Sequence, residues 1–284
     1  MRQNLQRLLT FCARYRHVIL ILATLAIVLP EISVYFHQPG RGGDILFYIA
    51  AGQDALEGND LYRESAPAYG NTWPPLFSFL AIPIALSADL IGLPGTKIIW
   101  YFINFFCLIA AIKLWSEMLL GKRPKFISSQ SLDFTSPNVF LPVLFILPAI
   151  VKNFFDLQIN TLILFLVVAG LYLLSKNRQS FGGVLIGLAA SLKVIPGLFI
   201  IYFLFRKQWK ASAAIGLSAT IFTLSPVLFF GIERFAALML NWLSISLVEK
   251  YVVGNFNFSN QSLYAMWEYY LVYKLHLTEP ASLL

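Results

Sequence analysis

"FGGVLIGLAASLKVIPGLFIIYFLF", residues 181–205, decides how this chain folds, because it is apolar throughout and enclosed by two basic clusters. "SKNRQ" (175–179) precedes it and "RKQWK" (206–210) follows it. A helix needs about 20 apolar residues to cross roughly 30 Å of hydrocarbon, so a block of 25 residues can cross once but not twice. Short basic loops collect on the cytoplasmic face of a membrane. A single crossing would separate the two clusters, so the expectation is two half-helices that enter and return, meeting at "LKVIP" (192–196). Lys193 then stands at depth, in the outer half of the membrane or beside a cavity opening to it. An ammonium in an apolar run costs about 2.5–3.5 kcal/mol on insertion scales, which calls for a partner. A phosphate is one candidate partner and Asp156 the other.

The rest of the chain reads the same way. Its 284 residues are 58% hydrophobic and 15% aromatic with only 12% charged, and the mean hydropathy is +0.71. Apolar blocks of about 15–25 residues alternate with short polar punctuation, the length scale of membrane helices, without the strict alternation of a β-barrel. The expected fold is all-α: a polytopic integral membrane protein, one domain over residues 1–284, with some segments broken or re-entrant. The formal charge of +7 is concentrated in short clusters such as Arg2, Arg7, Arg14 and Arg16, or Lys122, Arg123 and Lys125. Between apolar blocks these are positive-inside signals and do not indicate a nucleic-acid partner. Cys12, Cys107 and the three histidines have no disulfide or metal-ligand pattern. No metal site or cofactor is expected; the loop carboxylates leave a divalent cation open without indicating one.

The arginine-rich leader lacks a cleavage site and reads as an uncleaved anchor spanning about 17–36, with its N-terminus cytoplasmic. Segments 138–152, 161–175 and 211–230 follow as spans, then an amphipathic stretch, "IERFAALMLNWLSISLVEKY" (232–251). The counting fails at one place. If "WPPLFSFLAIPIALSADLIGLPG" (73–95) and the next block, 96–120, both crossed, "GKRPK" (121–125) would fall outside. The charge rule therefore favours a proline-broken 73–95 that does not cross fully. The total is about seven membrane segments.

The first outer loop carries five carboxylates, Asp44, Asp54, Glu57, Asp60 and Glu64. Its "DILFYIAAGQDALEG" portion puts Ile45, Tyr48, Ile49, Ala55 and Leu56 near one helical stripe, as in a helix lying on a bilayer surface. Asp44, after Gly42-Gly43, fits two roles. It can cap the helix, or present a carboxylate as general base to an acceptor hydroxyl. Asp54, Glu57, Asp60 and Glu64 read as hydrated loop charges. Tyr62 and Tyr69 suit either sugar stacking or an interfacial aromatic belt. "FDLQIN" places Gln158 and Asn160 at a helix end, where amides bind sugar hydroxyls or terminate the helix. "NFNFSNQS" contains two Asn-x-Ser triplets, weak as glycosylation signals, while Gly183, Gly187 and Ser191 have the spacing of close helix packing.

In order, "GGDILFYIAAGQDALEGNDLY", "WPPLFSFLAIP", "DLQINTLILFLVVAGLYLL", "GGVLIGLAASLKVIPGLFIIYFLFRKQWK" and "NQSL" resemble the polyprenol-phosphate-sugar-dependent mannosyltransferases of glycosyltransferase family 87, within the C-type superfamily. The resemblance covers most of residues 40–265. It implies a C-type helix bundle with an interfacial helix in the first outer loop. It also implies inverting transfer of a hexose, usually mannose, from a polyprenyl-phosphate donor to a lipid or glycan acceptor outside the cytoplasm, at a bacterial inner membrane. By the same resemblance Asp44 is the base, Lys193 contacts the donor phosphate, and Gln158, Asn160, Asn260 and Gln261 face substrate; Tyr62 joins them as a substrate-binding candidate through sugar stacking. Family members usually run longer, so a C-terminally truncated or split form is also an expectation. The competing expectations are a transporter or flippase subunit, whose essential polar residues would lie near mid-membrane, and an inactive scaffold.

Overall fold

The computed structural model describes residues 43–62, 71–120 and 137–247, with a few separate positions of the leader. Apart from those positions the predicted first span lies outside the described residues, as do Glu64, Tyr69, Asn260 and Gln261. The described residues are helical and contain no strand: α1 (Ile45–Glu57), α2 (Pro75–Leu120), α3 (Pro137–Phe155), α4 (Asn160–Ser175), α5 (Gln179–Leu192), a 3-10 turn (Ile195–Leu198), α6 (Phe199–Phe205), α7 (Trp209–Leu224), α8 (Val227–Phe230) and α9 (Ile232–Leu247).

The helix expected in the first loop is present as α1. It ends on Gly58 at φ 76°, whose N–H returns to the Asp54 carbonyl, a left-handed stop that glycine adopts without a Cβ penalty. Its buried stripe is Ile45, Tyr48, Ala51, Gly52 and Ala55, spaced as one helical face. Leu56, expected on that stripe, is exposed. The buried face is made of small residues because α2 approaches closely: a Cβ on Gly52 would lie 2.5 Å from the Ala81 carbonyl oxygen.

The ambiguous segment is resolved inside α2, where Gly92 takes φ 70°, ψ 168°. The Ser87 and Thr96 hydroxyls are 3.1 Å apart, whereas nine residues of straight helix would separate them by roughly 13 Å. The chain therefore folds back sharply at Gly92. The first arm runs beside α1, and the second lies along α4 in the same direction, through Asn104 and Thr161 and then Glu117 and Tyr172. Lys176 also reaches Glu117, at 3.5 Å. The stretch before "GKRPK" thus ends beside the 176–178 turn, removing the conflict that counting both blocks as spans created.

The break predicted at "LKVIP" is present. Helix α5 stops at Leu192, Lys193 is extended (φ −148°, ψ 122°), and Pro196 opens the 3-10 turn into α6. Packing reveals a reversal. Along α5, Gly183 lies against Ala211 and Ala214, and Gly187 against Ile215, Ser218 and Ala219, so α5 and α7 run parallel. The short α6 between them comes back, and the Ser212 hydroxyl donates to the Ile200 carbonyl at 3.0 Å. The two basic turns consequently sit side by side. Beyond α7, Pro226 leads into the short α8, and the amphipathic stretch forms α9.

Pro75–Met118 and Trp209–Phe230 are long and apolar enough to cross a membrane. Large side chains including Phe106, Phe145 and Leu228 face outward, an apolar exterior suited to hydrocarbon and costly in water.

Candidate functional site

The site is built around the five-residue turn Asp156–Asn160 that joins α3 to α4. Leu157 holds φ 53°, a left-handed conformation costing an ordinary residue about 1 kcal/mol or more. Contacts from distant segments fix it there. The Trp100 indole N–H donates to the Leu157 carbonyl at 2.8 Å, the Ile159 N–H donates to the Tyr48 hydroxyl at 3.1 Å, and the Asp44 N–H donates to the Asp156 carbonyl at 2.7 Å. Gly43 makes the last approach possible. Its φ is 64°, and a Cβ there would be 2.6 Å from the Asp156 carbonyl oxygen.

Asp44 is half-buried and does not cap α1 with its side chain. The sequence-based capping role is therefore corrected: Asp44 already has helical dihedrals, so its carboxylate is not aimed at the first-turn amides. It lies instead 3.5 Å from the Tyr48 hydroxyl, which donates to it. Burial and the neighbouring Asp156 carboxylate push its pKa above the ordinary aspartate range, while the Tyr48 hydroxyl, Lys193 and Lys152 pull it down. Asp156 has its own partner in Lys152, at 3.0 Å.

Tyr48 is the residue that sequence reasoning placed only on an apolar stripe. It is fully buried and ringed edge-on by Trp73, Phe77 and Trp100. Burial and the Asp44 charge push its phenol pKa well up, so it stays protonated. Because its oxygen accepts from Ile159, its proton is free to point at Asp44. Its spacing from Asp44 is the available signal: four residues put both on one helical face.

Lys193, at the α5 break, donates to the Asn160 side-chain oxygen at 2.8 Å and stands over the Trp73 ring, 5.8 Å from its centroid. The Asn160 amide in turn donates to Gln158 at 2.7 Å. One turn thus carries Asp44 at its start and Lys193 at its end, with Gln158 and Asn160 between, and Lys193 is close enough to influence Asp44. Trp73 is fixed from several sides. Its N–H donates to Asn71, its carbonyl accepts from Tyr62 at 2.8 Å, and the preceding Thr72 carbonyl accepts from Trp242 of α9.

Tyr62 is corrected by the same geometry. It is buried among Phe230, Phe235 and Leu238, and its hydroxyl is engaged by Trp73, so it braces that residue and offers no ring face for a sugar. Asp54 and Glu57 accept from the Asn59 amide, Asp60 accepts from the Tyr62 N–H, and Arg234 of α9 donates to the Asn59 carbonyl. These loop carboxylates organise the turn after α1, away from the Asp156–Asn160 turn.

A helical membrane protein that gathers a raised-pKa carboxylate, a lysine and carboxamides around one strained turn has the equipment for acid–base chemistry on a polar group held at a membrane. Residues 71–282 match glycosyltransferase family 87, and the chain belongs to that family. The match begins beyond Asp44 and includes Trp73, the Asp156–Asn160 turn and Lys193. The chain is also similar, at 26% identity over 179 residues, to a polyprenol-phosphate-mannose-dependent alpha-(1-2)-phosphatidylinositol mannoside mannosyltransferase of Mycolicibacterium smegmatis. That alignment covers 58% of this chain and 39% of the relative, so the chain spans well under half of the curated relative's length. No solved structure matches it.

Proposed function

We propose that the chain is a membrane hexosyltransferase that moves a sugar, mannose by analogy with its relative, from a polyprenyl-phosphate carrier to the hydroxyl of a lipid or glycan acceptor. The observation that supports this most is the meeting of Asp44 and Lys193 at the two ends of the Asp156–Asn160 turn. An inverting displacement needs a base at the acceptor and a cation at the leaving phosphate, and these two side chains supply them. Asp44 takes the hydroxyl proton as that oxygen attacks the anomeric carbon. The bond to the phosphate oxygen breaks, and Lys193 balances the charge left on the lipid phosphate. Gln158 and Asn160 lie where sugar hydroxyls can exchange hydrogen bonds with carboxamides, and Trp73, stacked on Phe77, holds its ring beneath the cation. A polyprenyl tail would stay among the apolar helices. The proposed setting is a bacterial inner membrane with Asp44 and Lys193 on the extracytoplasmic side, opposite the basic turns.

Transfer from polyprenyl-phosphate mannose and other lipid-linked hexoses, measured in membranes containing the chain, tests this reading. Asp44→Asn should lose activity by about 100-fold or more, as when a general base is removed, and Lys193→Ala should weaken use of the donor. Full activity in Asp44→Asn at normal expression would sink the mechanism. Vectorial movement of the donor without bond formation would favour a transporter.

A further inference from the structure

At the opposite end from Asp44, the turns before α5 and α7 form an open, shallow cavity of about 410 Å³ lined by Asn177, Arg178, Gln179, Ser180, Phe181 and Lys210. It is a product of the α5–α6 reversal, which returns the chain to its starting level and sets "SKNRQ" beside "RKQWK". The two turns are built alike. Asn177 and Lys207 both hold positive φ, 61° and 56°, and Arg178 and Gln208 follow with almost identical dihedrals. The parallel packing of α5 against α7 starts both helices at the same level.

Charge makes the cavity selective. Arg178 and Lys210 line it, Arg206 and Lys207 flank it, and none of the four has a carboxylate partner among the described residues. Lys176 differs, being paired with Glu117 and placed over the Tyr172 ring. The surroundings are equally distinctive: Phe181, Phe205 and Trp209 are 70%, 84% and 65% exposed. Bulky rings turned outward beside cations with no carboxylate partner among the described residues form the pattern of a membrane–water boundary, where rings take the acyl region and cations the head groups. A soluble anion would have no use for the rings.

The geometry points to this cavity as a binding site for the phosphate head group of an anionic membrane phospholipid, held by Arg178 and Lys210 with Asn177 and Ser180 as hydrogen-bond donors, and its acyl chains against Phe181, Phe205 and Trp209. The site is separate from the Asp44–Lys193 cluster and does not depend on the reaction there. Basic cavities between membrane helices hold acidic lipid head groups by this combination of charge and apolar contact.

The full chain, purified in detergent and titrated with phosphatidylglycerol in phosphatidylcholine mixtures, provides the test, with bound lipid counted by native mass spectrometry and the unfolding temperature followed in parallel. Removing two cations near a bilayer surface should weaken anionic-lipid binding roughly thirtyfold in Arg178→Gln/Lys210→Gln. Arg178→Lys/Lys210→Arg should retain most of it, and Lys113→Gln, which removes an exposed lysine of α2, should bind as the unaltered chain does. Phosphatidylglycerol should raise the unfolding temperature of the unaltered chain and not of the double glutamine variant. Equal lipid retention by that variant, stable and monodisperse, would overturn the proposal. Equal stabilisation by inorganic phosphate would overturn it too, by assigning the cavity to a soluble anion.

Discussion

Asp44 is held under opposing electrostatic demands, and their signs can be separated by substitution. Burial and Asp156 raise its pKa, while Tyr48, Lys193 and Lys152 lower it. As the proposed base, Asp44 would act only when ionised, so the acidic limb of the transfer-rate profile should lie above the ordinary aspartate value of about 3.9. Asp156→Asn removes a raising influence and should move that limb to lower pH. Tyr48→Phe removes a lowering one and should move it to higher pH, while leaving the buried Ile159 N–H without its acceptor, a loss of about 1–3 kcal/mol in stability. Limbs that shift together, or not at all, would show that Asp44 does not set the profile. The same shift has a consequence for folding. A carboxyl whose pKa is higher in the folded protein opposes folding above the unfolded value, and that opposition fades as pH falls through the folded value. Asp44→Asn should therefore unfold at neutral pH no earlier than the unaltered chain, which separates its catalytic loss from misfolding in a thermal scan. Sequence alone could place Asp44 at a helix start but left its side chain free to cap. Its direction is set by Gly43 and the Asp156 carbonyl, a contact across 112 positions of chain that no local pattern carries.

Helix breaks matter more here than helix interiors, and they differ in how plainly the sequence announces them. The stop at Leu192 was legible because two basic clusters flank a block too short to cross twice, with Pro196 at the join. The fold at Gly92 was less so. Its prolines drew attention, yet Pro83 lies inside a continuing helix and the turn is made by the glycine, whose positive φ follows from the Ser87–Thr96 closure. Likewise the sequence shows that Lys193 needs a partner but does not single out Asn160, because the hydrogen bond depends on how α5 meets the α3–α4 turn. Two glycines test this packing. Gly43→Ala places a Cβ against the Asp156 carbonyl at positive φ, costing at least about 1–2 kcal/mol from backbone conformation alone. It should reduce transfer as strongly as it lowers the unfolding temperature. Gly187→Val puts bulk between α5 and α7, where even a Cβ would collide with the Ser218 hydroxyl, and should cost about 1–3 kcal/mol by overpacking. Because Gly187 lies six residues before Lys193 on the helix that ends there, the surviving folded fraction should also use the donor less well.

On the scale of the whole molecule, the parallel course of the second arm of α2 and α4, the α4–α5 hairpin and the return of α6 give the protein two chemically distinct ends. The turns at 176–178 and 206–208 and the C-terminal end of α2 share one end; Asp44, Trp73, the Asp156–Asn160 turn and Lys193 share the other. If the long axis of this arrangement lies across a bilayer, the basic end takes the cytoplasmic side and the carboxylate cluster the opposite one. A cysteine-free background, with Cys12 and Cys107 changed to serine, allows the test. Glu57 and Arg206 are exposed positions at the two ends, and neither makes a contact that holds the Asp44–Lys193 cluster together. In sealed, right-side-out vesicles a membrane-impermeant thiol reagent should label Glu57→Cys directly, and Arg206→Cys only after permeabilisation. Labelling of both from one side would mean that the α5–α6 reversal does not separate the two ends across the membrane, and the donor phosphate would then have to be sought on the cytoplasmic face. The opposite pattern, with Arg206→Cys alone reached from outside, would leave the fold intact and invert its insertion, contradicting the proposed extracytoplasmic reaction.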